Sequence, residues 1–340
     1  MSRRSLTLLI AAAGTAAALA VSVLIPVPYV ILSPGPTLNT LGKDSSGRPL
    51  ITIARHRTYP TNGHLNMVTV DAQGGPGNTF NIFAALAAWL NPQDAVVPED
   101  EVYPPGQTQQ QSQQQDTQEM TGSQQTATAA ALEEMHIPYQ IVVAQAEPGY
   151  PAYHVLRAGD IITAVDGQPV TGQTSLSTLI NAHPAGTTLT LAILRKGKTE
   201  QVRVATKEAD GERLIGVVVS FKFPFPITIT VGDIGGPSAG LMFALGIIDK
   251  LTPLNLTGGK FIAGTGEITV DGQVQPIGGI QQKMVGARDA GATIFLTPAA
   301  NCPDTKGAVP AGLRLVKVST LAQAVSYLEA IKAGQAVPSC

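Results

Sequence analysis

Apolar residues fill positions 6–25 without a single charge, a 20-residue run that follows Arg3 and Arg4 and ends at Pro26. A helix of that length can cross a bilayer core, and the run exceeds the apolar centre of a cleaved leader. The pattern predicts one uncleaved membrane anchor within residues 1–30. The basic N-terminal flank places the rest of the chain outside the cytoplasm. Pro34 and Pro36 interrupt the next stretch, so residues 31–47 read as a linker. Two alternating runs, 50–54 and 65–70, flank turn-forming residues at 59–64 and predict a hairpin. Residues 80–90 are apolar on most faces and predict a buried helix. Glutamine dominates residues 107–125, which are expected to begin as a mobile segment; residues 120–135 then favour a helix stopped at Pro138.

From residue 137 to 207 the period shortens to that of strands. A strand reaches the Asp166-Gly167 turn, a short helix covers 176–181, and strands over 187–195 and 199–205 are joined across Lys196-Gly197-Lys198. Beyond this module, a β-branched strand at 227–231 leads through a glycine turn into a helix over 241–250. A second glycine turn at 276–279 opens another helix. Together these predict an α+β chain with a β-rich module inserted into a domain of mixed sheets and helices. The divisions are an anchor at 1–30, a linker at 31–47, a first part at 48–135, the module at 136–208, a second part at 209–335 and a tail at 336–340.

The formal charge of −2 and the few aromatic residues (5%) leave no basic stripe to follow a phosphate backbone, so nucleic acid is not an expected partner. The two cysteines, Cys302 and Cys340, form no CxxC pair, and no metal or other cofactor is expected. In an oxidising compartment they would pin the C-terminal tail to the body as a disulfide.

The candidate chemistry lies at Gly235-Gly236-Pro237-Ser238-Ala239-Gly240, where a strand passes through a tight turn into a helix. Ser238 at this entrance can act as a nucleophile. The backbone around Gly236 and Pro237 would approach a developing oxyanion at the positive end of the helix. A serine needs a base, and all five histidines precede it without a convincing pairing. A lysine desolvated by apolar neighbours can replace histidine, and Lys283, one turn into the second helix, is the candidate. No HExxH is present, which argues against a metalloprotease.

The run Gly159-Asp160-Ile161-Ile162, with Val165-Asp166-Gly167 and Val170, resembles a PDZ domain of the protease-associated kind over about 70 residues. This implies that an extended peptide ligand adds to a sheet edge. A Gly-Leu-Gly-Phe-like carboxylate loop is not read in the sequence. Gly235 to Gly240, the Thr-Gly-Glu-Ile-Thr run that starts at Thr265 and reaches Gly279, and Lys283 together resemble the proteolytic domain of the Lon family. Gly235 departs from it, since the best-known members carry Asp there. The segment Met120 to Ala127 resembles the helix that precedes the catalytic half of that domain.

The resemblance implies a Ser238–Lys283 dyad, with Thr265 holding the lysine towards the serine, polypeptide substrates and a ring-shaped homo-oligomer. No GxxxxGK[ST] phosphate loop occurs, so ATP-driven unfolding is not expected. The expected function is an ATP-independent serine endopeptidase, anchored in the cell membrane by a single pass with its catalytic domain facing outward. The alternative is an inactive Lon-like and PDZ scaffold that binds peptide segments at the membrane.

Overall fold

The computed structural model describes residues 3–44, 46–209 and 211–340, leaving aside the side chains of Arg3, of residues 18–21 and of Leu24. The apolar run forms α1 (Arg3–Leu24). Among the described residues no helix is long and apolar enough to cross a membrane. Part of the expected anchor, at residues 18–21 and 24, lies outside the described side chains.

The expected linker is instead a strand, β1 (Tyr29–Asn39). β2 (Ile51–Ile53), β3 (His64–Gly74), α2 (Ile82–Leu90), β4 (Ala95–Pro98), α3 (Glu99–Val102) and α4 (Gln109–Glu134) follow. Pro34 and Pro36 are tolerated because the β1–β3 register shifts between Pro34 and Thr37, a bulge where a ladder donor is not required. The expected hairpin is not formed: β3 pairs with β1, while β2 pairs with a distant strand, β13. The Gln-rich start is helical, because Thr108 and Gln111 form a capping box and glutamine is a good helix former.

Next come β5 (Gln140–Ala146), β6 (Ile161–Val165), β7 (Gln168–Pro169), α5 (Gln173–Asn181), β8 (Thr188–Arg195), β9 (Lys198–Ala205), β10 (Lys207–Ala209), β11 (Glu212–Leu214) and β12 (Val217–Lys222). Their sheet runs β12-β5-β6-β8-β9, so the inserted module reaches Lys222 rather than residue 208. Inside it Asp160 accepts from Arg195 at 2.6 and 2.8 Å and caps the Arg157 amide at 2.8 Å.

The chain then returns through β13 (Ile227–Ile229), α6 (Gly240–Leu251), β14 (Phe261–Gly264), β15 (Glu267–Ile268), β16 (Val274–Gln275), α7 (Ile280–Asp289), β17 (Ile294–Pro298), a 3-10 turn at Ala299–Thr305, β18 (Arg314–Val318) and α8 (Leu321–Lys332). The main sheet has the order β18-β17-β14-β3-β1-β4. It is parallel from β18 to β3 and antiparallel from β3 to β4. α6 is buried along nearly its whole length and packs on α4. A helix so apolar needs apolar surroundings on nearly every side, and for α6 the core supplies them. α7 packs against β1 and β3, so the helix that carries Lys283 rests on the strand that contains both prolines.

Cys302 and Cys340 are joined in a disulfide, and the tail is also held where the Lys317 amide donates to the Pro338 carbonyl at 3.1 Å. The bridge closes a loop of 38 residues, for which chain entropy allows up to about 4 kcal/mol of stabilisation. Replacing both cysteines by serine is expected to lower the thermal midpoint, read by circular dichroism, without changing turnover at room temperature.

Candidate active site

The main sheet brings two helix entrances together. α6 begins one turn after the Gly235–Gly236–Pro237 bend, and α7 begins after Gly279, whose φ of 68° lies in the left-handed region that glycine adopts without strain. Ser238 stands on the first and Lys283 on the second. Lys283 Nζ lies 2.9 Å from Ser238 Oγ and 3.4 Å from Thr265 Oγ1. Thr265 Oγ1 donates to the Ser238 carbonyl at 3.0 Å, and the Gly266 amide donates to the same oxygen at 2.8 Å. The segment after β14 thus grips the backbone of the serine while its threonine touches the amine.

Lys283 is 3% exposed. Burial disfavours its ammonium form and lowers its pKa from 10.5 to about 8. Near neutrality a usable fraction is therefore the free amine, whose lone pair can accept the Ser238 proton. Thr265 beside it is fully buried, so its hydroxyl is in a position to orient the amine. Four of the five histidines are engaged elsewhere: His56 rests on Phe225, His64 stacks on Phe261, His154 meets Tyr153 edge-on, and His183 meets Asp166 at 3.4 Å. Among the described residues no cluster of three or more His, Cys, Asp or Glu could hold a metal ion.

Gly236 and Pro237 do not present the expected pair of oxyanion donors. The Gly236 amide donates to the Asp116 carbonyl at 3.3 Å, and Pro237 has no N–H. Asp116 belongs to α4, which braces the bend a second time where Ser123 Oγ donates to the Pro237 carbonyl at 2.9 Å. The same helix accounts for Gly235. A Cβ at that position would stand 2.5 Å from Asp116 Cβ, so a side chain there and α4 in its present place exclude each other. Burial and the neighbouring Glu119 raise the Asp116 carboxyl above its usual range. Gly235→Asp is expected to push α4 off the bend, at a cost of about 1–3 kcal/mol in stability and with lower kcat. Thermal melts and initial rates of the variant check both.

Asp116 had no signal in the sequence, and Ser123 only its place in the Met120–Ala127 segment, which resembles a Lon-type helix without marking any one residue. They precede Ser238 by more than 100 residues, across the inserted module, and only the small buried residues of α4 (Ser123, Ala127, Ala130) mark the face that meets α6.

A cleft of about 290 Å³ opens on Ser238 and Lys283. Its floor is residues 67–71 of β3, with Pro36 beside it and residues 233–236 opposite. β14 pairs with β3 only as far as Met67, so beyond that residue the β3 edge faces the cleft. A larger cleft of about 710 Å³ between α4 and residues 229–235 shares Met120 and Ile234 with it, giving an elongated approach.

The inserted module has a second concave site, of about 490 Å³, between α5 and the free edge of β12. Leu214-Ile215-Gly216-Val217 lines it, a segment that lies beyond the expected module boundary. Gly216 has φ +79°, and a Cβ there would be 1.9 Å from Tyr150 Cβ. Arg213 lines this cleft, and its Nε is buried without a hydrogen-bond partner among the described residues.

Comparison with known proteins finds both kinds of domain, though the PDZ match begins within α4 and ends before β12. Residues 227–330 match the Lon protease (S16) C-terminal proteolytic domain, and residues 110–206 match a PDZ domain. The Lon protease of Roseiflexus castenholzii is 45% identical over 71 residues, which is 21% of this chain and 9% of that protein. A protein named putative zinc metalloprotease LL2128, from Lactococcus lactis subsp. lactis, is 37% identical over 120 residues, 34% of this chain and 28% of that one. The chain therefore spans less than a third of either relative. The PDZ domain of an SdrC-like protein from Listeria monocytogenes is 26% identical and covers 23% of this chain and 85% of that one, with a TM-score of 0.22. The chain thus joins a serine-peptidase domain of the Lon type to a PDZ domain in a mixed α/β fold.

Proposed function

We propose that the protein is a membrane-anchored, ATP-independent serine endopeptidase acting on extracytoplasmic polypeptides. The carrying observation is the 2.9 Å approach of a buried amine to the Ser238 hydroxyl. An extended peptide adds to the β3 edge at residues 68–71, which places one carbonyl over Ser238. The neutral Lys283 amine takes the hydroxyl proton as Oγ attacks, then returns it to the leaving amine. An acyl-enzyme remains, and water attacks it with Lys283 again as base. The oxyanion needs a backbone donor, so substrate binding must free the Gly236 amide from the Asp116 carbonyl or recruit another amide of the α6 entrance.

The PDZ cleft captures a second stretch of the same or another polypeptide on the β12 edge, where Arg213 Nε–H can donate to a carboxylate. The 20-residue apolar run supplies the anchor, and its basic flank supplies the outward orientation. A ring of several copies is consistent with the family resemblance.

The test is turnover of an unstructured fluorogenic peptide by the purified full chain with and without ATP. The proposal expects cleavage that ATP leaves unchanged, together with covalent labelling of Ser238 by a serine-directed fluorophosphonate. Failure of both labelling and cleavage would leave the peptide-binding scaffold as the reading.

A further inference from the structure

Helix α2 is inverted relative to a helix on a water-soluble surface. Ile82–Leu90 contains no charged residue, and the side chains it buries are only Ala85 and Ala88. Its large residues face outward: Phe83 is 43% exposed, Leu86 48%, Trp89 71% and Leu90 76%. A sequence that is apolar all round predicts burial, as expected above for residues 80–90, yet these four side chains stay exposed among the described residues. The exposed Tyr29, on the adjoining β1, adds to the apolar ground around the helix. Apolar ground of this kind calls for a partner.

The position of α2 indicates which partner. The apolar run ends at residue 25, Pro26 bridges to Asn81, and the Val27 amide donates to the Phe80 carbonyl at 3.1 Å. Asn81 is the N-cap of α2, its Oδ1 accepting from the Phe83 and Ala84 amides at 3.1 Å each. The first turn of α2 is thus fastened to the end of α1. A bilayer that receives α1 would meet α2 where the chain emerges. Tryptophan with leucine and phenylalanine is the composition of helices that lie in that interface.

We propose that α2 lies on the lipid bilayer, seating Phe83, Leu86, Trp89 and Leu90 among the headgroups and upper acyl chains. This rests on the anchor reading of α1. It makes the attachment two-point, fixing the orientation of the catalytic domain over the membrane instead of leaving it to swing on a tether. The acidic turn Glu99-Asp100-Glu101 beside β4 favours zwitterionic over anionic lipid.

Trp89 is the one tryptophan of the chain and reports on its own surroundings. The full chain is reconstituted into phosphatidylcholine vesicles whose acyl chains carry bromine, and co-flotation and Trp89 emission are both read. The expected result is co-flotation with Trp89 emission blue-shifted and largely quenched. Leu86→Ser combined with Leu90→Ser should relieve the quenching while co-flotation and peptide cleavage persist. Co-flotation with Trp89 unquenched overturns the proposal and spares the anchor. That outcome includes a second copy shielding the helix, which cross-linking at residue 90 would reveal. Failure to co-float removes the anchor reading and the lipid contact with it.

Discussion

Ser238→Ala is expected to lower peptide turnover by about 10³-fold or more while the melting curve overlays that of the unaltered chain. The Ser238 hydroxyl supplies no core packing, since the residue is only partly buried and the bend is held by its carbonyl, which Thr265 and Gly266 grip regardless of the side chain. Loss of Oγ removes the only atom that could form the acyl-enzyme. Turnover equal to that of the unaltered chain would mean that the 2.9 Å contact with Lys283 serves no chemistry. Thr265→Val, which keeps the shape, should instead give a partial loss, because the amine would lose one of its two oxygen neighbours and the Ser238 carbonyl one of its two donors.

Lys283→Met should inactivate the protein and stabilise it at neutral pH. In the unfolded chain this lysine holds its proton up to pH 10.5, whereas in the folded chain it releases the proton near about 8. Between those values the unfolded state binds the extra proton, so stability rises with pH. Below about pH 8 both states are protonated and the cost of burying the ammonium is present in full. At 1.36 kcal/mol per unit the drop corresponds to about 3 kcal/mol, reduced by the hydrogen bonds to Ser238 and Thr265 that methionine cannot make. The variant should therefore unfold at higher urea than the unaltered chain at pH 7, with the difference shrinking as the pH approaches 10.5. An unchanged or lower midpoint at pH 7 would show an amine with no burial cost.

Ser238 and Lys283 could be read from sequence because each sits in a run whose glycines and prolines fix the local backbone, whereas Thr265 was legible only through the resemblance to the Lon proteolytic domain. Ser238 follows Gly-Gly-Pro, and Lys283 follows a double glycine at a helix start. Less legible was whatever depends on pairing at a distance. β1 looked like a linker because Pro34 and Pro36 forbid a regular helix there, while the bulge opposite Thr69 that makes room for them in a strand depends on the pairing with β3. β2 alternates as a hairpin strand should, yet its partner lies beyond the inserted module. The contacts of α4 with Gly235, Gly236 and Pro237 cross that module too. The orientation of α2 was illegible for a different reason: a helix with no polar position has no pattern to show which face is inward, and only the structure shows that the alanines took it.

The free amine as base is tested most directly by the pH dependence of kcat/KM for the unaltered chain on an unstructured peptide. The account predicts a rate that climbs with a single ionisation and levels off above about pH 8, where Lys283 has lost its proton. A profile that is flat across the neutral and alkaline range, or one that turns over near the ordinary histidine value of about 6.5, would contradict it.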